Sequence, residues 1–186
     1  NNIIEVNKNQ ILKRNDKVRK NIYLIRNKKN YGLTKGLNIG YKFSINNSYK
    51  YILRVDNDLF LEKNCIKTLL RSFNKKNVAA VSPKILHAYL KKTIWWSEFY
   101  MKWSTLKFYR FGETRKNKKP DNKNISNIKQ VDAICGACSI YDANLLSKTN
   151  LGDEDFFYGP EDVELSYRLK KKGKLLVNQK AVAYHK

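Results

Sequence analysis

The sequence is poor in the residues that characterise secreted, disulfide-stapled or membrane-spanning chains. Its 186 residues include three cysteines, three prolines, eight glycines and one methionine. Three cysteines are too few for a disulfide framework, so we expect a reducing compartment. No segment approaches the roughly 20 consecutive apolar residues of a membrane-spanning helix, and residues 1–10 show no apolar core of a signal peptide. We therefore expect no membrane-spanning helix in this stretch.

Negative charge is also scarce, with 16 acidic residues against 38 lysines and arginines and a formal net charge of +22. The basic residues are spread through Lys13–Lys20, Arg26–Lys29, Arg115–Lys123 and Lys170–Lys174. One interpretation is a general enrichment in lysine and asparagine. The other is attraction to polyanions, and here an anionic membrane surface or a phosphorylated substrate is favoured over nucleic acid.

The sequence does contain apolar and aromatic residues, in short segments that alternate in character. Hydrophobic residues make up 42% of the chain and aromatic residues 12%, which is enough for one domain with a packed core over residues 1–186. Strands are predicted at Asn21–Arg26, Tyr49–Val55, Val78–Ser82, Val131–Tyr141, Leu175–Val177 and Ala181–Tyr184. Helices are predicted at Gly32–Phe43, Leu61–Phe73, Asp142–Lys148 and Pro160–Lys172. This alternation predicts an α/β domain with a mostly parallel sheet flanked by helices.

Three features interrupt that alternation. Pro83 is expected to close the third strand, because proline donates no hydrogen bond to a sheet. Ile85–Gly112 is aromatic but irregular, and the polar segment Glu113–Lys129 is predicted to be an exposed loop.

The few acidic residues are concentrated at two places. Six of the 16 lie between Asp153 and Glu164, around the predicted start of a helix. Asp56-Asn57-Asp58 follows a predicted buried strand directly, where open α/β sheets bind ligands. Two carboxylates at this spacing can hold a hard divalent cation together with substrate phosphates. The alternative is a solvated acidic loop and an ordinary polar turn, because carboxylates also favour helix starts.

The remaining cysteines and histidines carry weaker signals. Cys135 and Cys138 have CxxC spacing, but a structural zinc needs a second pair, which Cys65 cannot supply. We therefore interpret Cys135 and Cys138 as small buried residues. We interpret His87 as a structural or a surface residue.

The order of the motifs is more specific than any one of them. A glycine-rich segment at residues 30–40 is followed by Asp56-Asn57-Asp58 and by Cys135-Gly136-Ala137. Asp153-Glu154-Asp155-Phe156-Phe157 comes next, then Gly159-Pro160-Glu161-Asp162-Val163-Glu164-Leu165 with Arg168, Gly173 and His185. From Asn21 onward this series resembles the family 2 glycosyltransferases of GT-A fold, especially their rhamnosyltransferase-like branch.

The resemblance implies a role for each matching residue. Donor binding would involve Lys35, Asn38, Gly40, Asp56, Asn57 and Asp58. Asp58, Asp56 and His185 would hold Mg²⁺ or Mn²⁺, and Asp162 would be the general base. Glu161, Trp95, Trp96 and Gly136 would lie on the acceptor side, although at most one of the adjacent tryptophans is expected to line the site.

The resemblance also implies substrates and a location. The donor would be dTDP-rhamnose or a UDP-sugar, and the acceptor a saccharide or lipid-linked saccharide of a surface polysaccharide. The reaction would take place in the cytoplasm, at the inner face of the cell membrane. The absence of a QxxRW segment favours transfer of a single sugar.

The sequence departs from the family at its start. Nothing before Asn21 matches the strand and turn that bind the nucleotide base, so we expect an N-terminally incomplete sheet in a fragment of a longer protein. Two other functions stay open: a metal-dependent nucleotidyltransferase, and a non-catalytic basic protein that binds nucleic acid.

Overall fold

A mixed sheet with helices on both faces organises the chain. The computed structural model describes residues 3–6, 22–90, 92–102, 105, 107–112, 121 and 127–186. The strands are β1 (Ile3–Val6), β2 (Ile22–Ile25), β3 (Tyr51–Val55), β4 (Leu59–Leu61), β5 (Val78–His87), β6 (Ile94–Lys102), β7 (Lys107–Gly112), β8 (Ile128–Gln130), β9 (Cys138–Asp142) and β10 (Lys174–His185). The helices are α1 (Leu33–Asn46), α2 (Cys65–Arg71), α3 (Ala143–Ser147) and α4 (Glu161–Lys170), with a short 3-10 turn at Ser72–Asn74. The α/β prediction is confirmed.

The strand directions differ from the mostly parallel sheet that the alternation suggests. The central order is β3-β9-β5-β10-β4, and β6, β7 and β8 attach at its sides. Among the described residues, only β5 with β10 and β1 with β2 pair in parallel. β9 runs antiparallel to both of its neighbours, β3 and β5. β5, β6 and β7 follow one another along the chain and pair as antiparallel neighbours, which short connections allow.

Two predicted strand boundaries are wrong, and one irregularity explains both. β5 continues through Pro83 to His87, and the two predicted C-terminal strands form the single strand β10. Pro83 lies opposite Asn178, where the pairing with β10 shifts register before resuming at Val182. A proline, which has no N–H to donate, fits this break in the hydrogen-bond ladder.

The aromatic segment at residues 85–112 is more regular than predicted. β6 and β7 pair as an antiparallel ribbon that extends from β5. Most of the predicted 113–129 loop lies outside the described residues. Asp121 is described, and its carboxylate lies 2.5 Å from the ammonium of Lys84 with both side chains largely buried. The strand predicted at Val131–Tyr141 is confined to β9.

The core fills both faces of the sheet. On one face, α1, α3 and α4 contribute residues such as Tyr41, Leu146 and Leu169. On the other, α2 packs Cys65 and Leu69 against the sheet. No helix among the described residues is long and apolar enough to cross a bilayer.

The three cysteines are buried and unpaired, as the CxxC interpretation predicts. Burial raises the pKa of Cys65 to about 11 and that of Cys135 to about 12. These thiols therefore stay protonated near neutral pH.

Candidate functional site

Four segments that lie far apart in the sequence meet at one edge of the sheet: the loop after β3, the turn before β9, the end of β10 and the start of α4. β3, β5 and β10 all run toward this edge, and the antiparallel β9 starts there, with Val55 opposite Cys138. The Asp56 N–H donates to the Ala137 carbonyl at 2.9 Å, and the Lys186 N–H donates to the Asp58 carbonyl at 3.1 Å. The loop after β3, the turn before β9 and the end of β10 are thereby joined.

Asp162 reaches this edge from the first turn of α4. One oxygen, Oδ2, accepts the Gly136 N–H at 3.0 Å, and the other, Oδ1, accepts the Val163 N–H at 2.8 Å. Gly136 precedes Ala137, the residue bonded to Asp56. The two acidic segments singled out in the sequence are therefore neighbours across the β9 turn.

A buried arginine in β3 contacts both acidic segments. The Arg54 side chain, 5% exposed, lies with Nε 3.5 Å from Asp56 Oδ1 and donates from a terminal nitrogen to Glu161 Oε1 at 3.2 Å. Burial raises the pKa of Asp56, an effect that the nearby Arg54 charge opposes. Sequence reasoning missed Arg54, although a charged residue in the apolar strand YILRV was the available signal.

Asp58 forms a second contact with His185. The His185 Nε2 lies 3.5 Å from Asp58 Oδ2. The Asp58 side chain is 47% exposed, yet its Oδ1 is shielded and accepts no hydrogen bond from the described residues. The Trp95 ring stacks on the His185 imidazole with centroids 4.0 Å apart and planes 8° from parallel. The stacking fixes the plane of the imidazole beside the carboxylate.

The side chains of Asp58 and His185 could supply two ligands to a hard cation, and a shielded carboxylate oxygen without a partner fits such a role. No group of three or more His, Cys, Asp or Glu residues in the described part of the chain could hold a metal ion on its own. Asp56 is engaged by Arg54. Any cation held here therefore needs further oxygen ligands from water or a bound phosphate.

The residues expected to bind the donor lie along α1. Asn38 is buried and exchanges two hydrogen bonds with Gly152, at 2.8 and 2.9 Å, which dock α1 onto the loop before α4. The Lys35 ammonium lies 2.8 Å from Glu154; this hydrogen bond raises the pKa of Lys35 and lowers that of Glu154. Gly40 lies inside the helix with open space above it, and Asn57 is exposed.

The residues expected on the acceptor side are mostly engaged in packing. Trp96 is 5% exposed and belongs to the core, whereas Trp95 lies on His185. Glu161 is buried against Arg54. A Cβ at Gly136 would lie 2.7 Å from the Arg54 guanidinium, so this glycine allows the turn to cross the arginine.

Two exposed aromatic residues lie beside the site instead. Phe157 and Tyr158, immediately before the Gly159-Pro160 pair that precedes α4, are 59% and 80% exposed. The Phe157 carbonyl accepts the Leu33 N–H at 2.7 Å. Gly32, at φ +83°, makes room for the Phe157 ring there. The sequence signal was a pair of aromatics between acidic residues and a helix start.

Comparison with known proteins gives a family match and a structural likeness. The family model described as Glycosyl transferase family 2 matches residues 8–148, well over half of the chain. The match includes Asp56, Asp58 and Gly136, and it ends before Asp162 and His185. A protein of Methanocaldococcus jannaschii, "Uncharacterized protein MJ0544", is 41% identical over 66 residues, which are 35% of this chain and 29% of that protein.

Two solved structures share the fold. GalNAc-T7, crystallised with UDP, GalNAc and Mn²⁺, superposes with a TM-score of 0.64 at 16% identity, over 89% of this chain and 32% of that one. A197 from STIV has a TM-score of 0.51 at 15% identity, over 99% of this chain and 84% of that one. The chain thus spans about a third of the length of GalNAc-T7 and of the curated relative. The similarity to these two structures is one of fold: a mixed α/β sheet flanked by helices.

Proposed function

The chain belongs to glycosyl transferase family 2, and from this premise we propose that it transfers a sugar from a nucleoside-diphosphate sugar to an acceptor hydroxyl. The observation that carries the proposal is the position of the Asp162 carboxylate, bonded to Gly136 next to the turn that holds Asp56. A carboxylate is thereby presented beside the acidic loop at residues 56–58, which could hold a diphosphate through a bound cation. Glycosyl transfer needs a base for the acceptor hydroxyl and a group that stabilises the departing diphosphate at one site.

Asp162 acts as the general base in this proposal. It takes the proton of the acceptor hydroxyl while the hydroxyl oxygen forms a bond to the anomeric carbon. The nucleoside diphosphate leaves with the electron pair of the broken carbon–oxygen bond, and the configuration inverts. Hydrogen bonds to both Asp162 oxygens fix the direction of the carboxylate, and no ion pair to it is found among the described residues.

We propose that Asp58 and His185 would hold Mg²⁺ or Mn²⁺, and that Asp56, which contacts Arg54, lies on the nucleoside side. Such a cation, when bound, would stabilise negative charge on the departing diphosphate. GalNAc-T7, the structural neighbour, contains Mn²⁺ and UDP, which supports a nucleotide-sugar donor and a divalent metal here. We propose dTDP-rhamnose or a UDP-sugar as donor, with Lys35, Asn38, Gly40 and Asn57 on the donor side.

The acceptor is proposed to be a saccharide or lipid-linked saccharide of a cell-surface polysaccharide, at the cytoplasmic face of the membrane. Exposed Tyr158 and Phe157, just before α4, offer aromatic faces for a sugar ring. Of the residues predicted on the acceptor side, we retain Trp95 and Gly136, because Glu161 is buried against Arg54. Residues 1–186 are proposed to form a single domain of a longer protein.

The decisive test is a screen of nucleotide sugars for binding and turnover, with and without Mn²⁺, using wild type, Asp162→Asn and Asp58→Ala. Asp162→Asn should lower turnover by about 10²–10⁴-fold and leave donor affinity within about twofold. Asp58→Ala should abolish the Mn²⁺ dependence of donor binding. Glu164→Gln, in the same helical turn but paired with Arg168, is the matched control and should retain activity.

The products separate this proposal from the alternatives. Release of nucleoside diphosphate from a nucleotide sugar supports it. Release of pyrophosphate from a nucleoside triphosphate would indicate a nucleotidyltransferase, and salt-sensitive nucleic-acid binding unaffected by either variant would indicate a basic binding protein.

A further inference from the structure

One corner of the molecule next to the candidate site exposes apolar side chains among lysines. The turn between β5 and β6 carries Tyr89, 78% exposed, and Leu90, 41% exposed. Phe60 in β4 is 51% exposed. Single exposed apolar side chains are common, but several that lie together can mark an interaction surface.

The turn and β4 are attached to the same strand end. The Ala88 N–H donates to the His185 carbonyl at 2.7 Å, so the turn begins directly beside the end of β10. Phe60 lies opposite Tyr184 in the β4–β10 ladder, one residue from His185. We call Phe60, Tyr89, Leu90, Lys92 and Lys186 the apolar-basic rim.

The charge of the rim is positive. The Lys186 ammonium lies 4.9 Å from the centroid of the Phe60 ring, and Lys92 is exposed within the turn. The described acidic residues nearby are engaged by other groups: Asp121 contacts Lys84, Glu62 accepts the Tyr184 hydroxyl, and Asp58 contacts His185. The rim therefore presents two lysines to a partner, and the nearby carboxylates of Glu62 and Asp58 each contact a side chain of β10.

We propose that the apolar-basic rim docks on an anionic lipid bilayer, with Tyr89 and Leu90 entering the interface and the lysines contacting headgroups. Tyrosine and leucine at a turn tip can enter the interfacial region while the adjacent ammonium groups stay at headgroup level. Each lysine near an anionic leaflet adds to the electrostatic attraction. The net charge of +22 attracts the molecule to such a surface from a distance.

Docking of the rim also determines how the acceptor substrate reaches the site, and this inference rests on the proposed function. The rim adjoins Asp58 and His185 through β10, so docking brings the candidate site to the membrane surface. An acceptor sugar linked to a lipid would then meet the site without leaving the bilayer. The geometry favours a lipid-linked acceptor over a free saccharide.

Vesicle co-sedimentation tests the rim without any donor or acceptor. Wild type should bind phosphatidylcholine vesicles that contain phosphatidylglycerol, and bind pure phosphatidylcholine vesicles at least tenfold more weakly. The double variant Tyr89→Ala/Leu90→Ala should lose about tenfold in affinity for the anionic vesicles. Tyr167→Ala is the matched control: Tyr167 is also exposed and lies under a lysine, Lys171, but on α4, so its loss should change nothing.

A second variant guards against misfolding of the first. Leu90→Trp should strengthen vesicle binding, because tryptophan favours the interface. Equal binding by wild type and the double variant, or preference for single-stranded RNA over anionic vesicles, would overturn the proposal. Vesicle binding without sugar transfer would leave the rim intact and count against the proposed function instead.

Discussion

Arg54 is a buried charge whose two partners belong to different parts of the chain. It contacts Asp56 within the loop after β3 and Glu161 at the start of α4. Glu161 is itself only 6% exposed. A charge pair of this kind adds little net stability, because desolvation offsets attraction, but removal of one partner leaves the other charge buried and uncompensated. Arg54 therefore fixes the relative positions of the two acidic segments.

Arg54→Met should accordingly destabilise the protein by roughly 3 kcal/mol, as measured by urea denaturation. Adding Glu161→Gln to Arg54→Met should recover part of that loss, since the double variant no longer buries an unpaired carboxylate. Arg26→Met serves as control. Arg26 pairs with Glu5, but their side chains are 70% and 61% exposed, so less than about 1 kcal/mol should be lost. Equal losses at Arg54 and Arg26 would contradict this account.

For individual residues, the sequence patterns located the acidic groups but did not identify Arg54, which holds them in position. Asp162 and Asp56 could be found because acids are rare in this chain and both groups lie at predicted element ends. The role of Arg54 could not be predicted, because its partner Glu161 is 107 residues away. Trp95 and Trp96 could not be separated either, because the choice between a ring on His185 and a ring in the core depends on which face of β6 each one occupies.

Helix α1 and the turn before β9 differ in what their glycines contribute. Gly36 lies within α1, and a Cβ there would meet no atom within 4 Å. Gly136 lies over Arg54, where a Cβ would be 2.7 Å from the guanidinium. That guanidinium cannot easily withdraw, because Asp56 and Glu161 hold it.

Alanine substitution should therefore have opposite effects at these two glycines. Gly36→Ala should stabilise the protein by about 0.5–1 kcal/mol, because alanine lowers the entropy of the unfolded chain and favours the helix. Gly136→Ala should destabilise it by about 1–3 kcal/mol through overpacking. Thermal unfolding of both variants gives the comparison, and a stable Gly136→Ala protein would show that Arg54 has room to move.

Element existence was easier to predict than element extent. Spaced glycines and apolar residues located α1, and Pro160, an acidic start, a basic end and Gly173 located α4. The boundaries of both helices differ from the prediction by only a few residues. Pro83 misled the prediction of β5, because the gap it fills in the ladder comes from an irregularity in β10 about a hundred residues later. The antiparallel directions of β6 and β9 likewise depend on pairing between distant segments, which periodicity cannot report.

The whole molecule carries a charge of +22 on 186 residues, and this charge repels itself more strongly in the compact state than in the unfolded chain. Raising the ionic strength to about 0.1 M shortens the screening length to about 10 Å, which weakens repulsion between distant surface lysines more than it weakens contacts such as Lys84–Asp121.

We expect the melting temperature to rise by a few degrees as sodium chloride increases from about 0.02 to about 0.2 M, at constant pH. Differential scanning calorimetry provides the measurement. Sodium perchlorate at equal ionic strength is the control, since simple screening predicts a similar rise with both salts. A melting temperature that falls with added salt would mean that ion pairs dominate the surface electrostatics.

The position of β10 in the sheet affects how the chain can fold during synthesis. β10 pairs with β4, β5 and β8 and occupies an interior position of the sheet, yet it follows every other described strand along the chain. While the ribosome is still translating residues before Lys174, the edge of β5 that will pair with β10 is unpaired, and such an edge is open to intermolecular strand pairing. His185 lies in β10, so its contact with Asp58 forms only once β10 has joined the sheet.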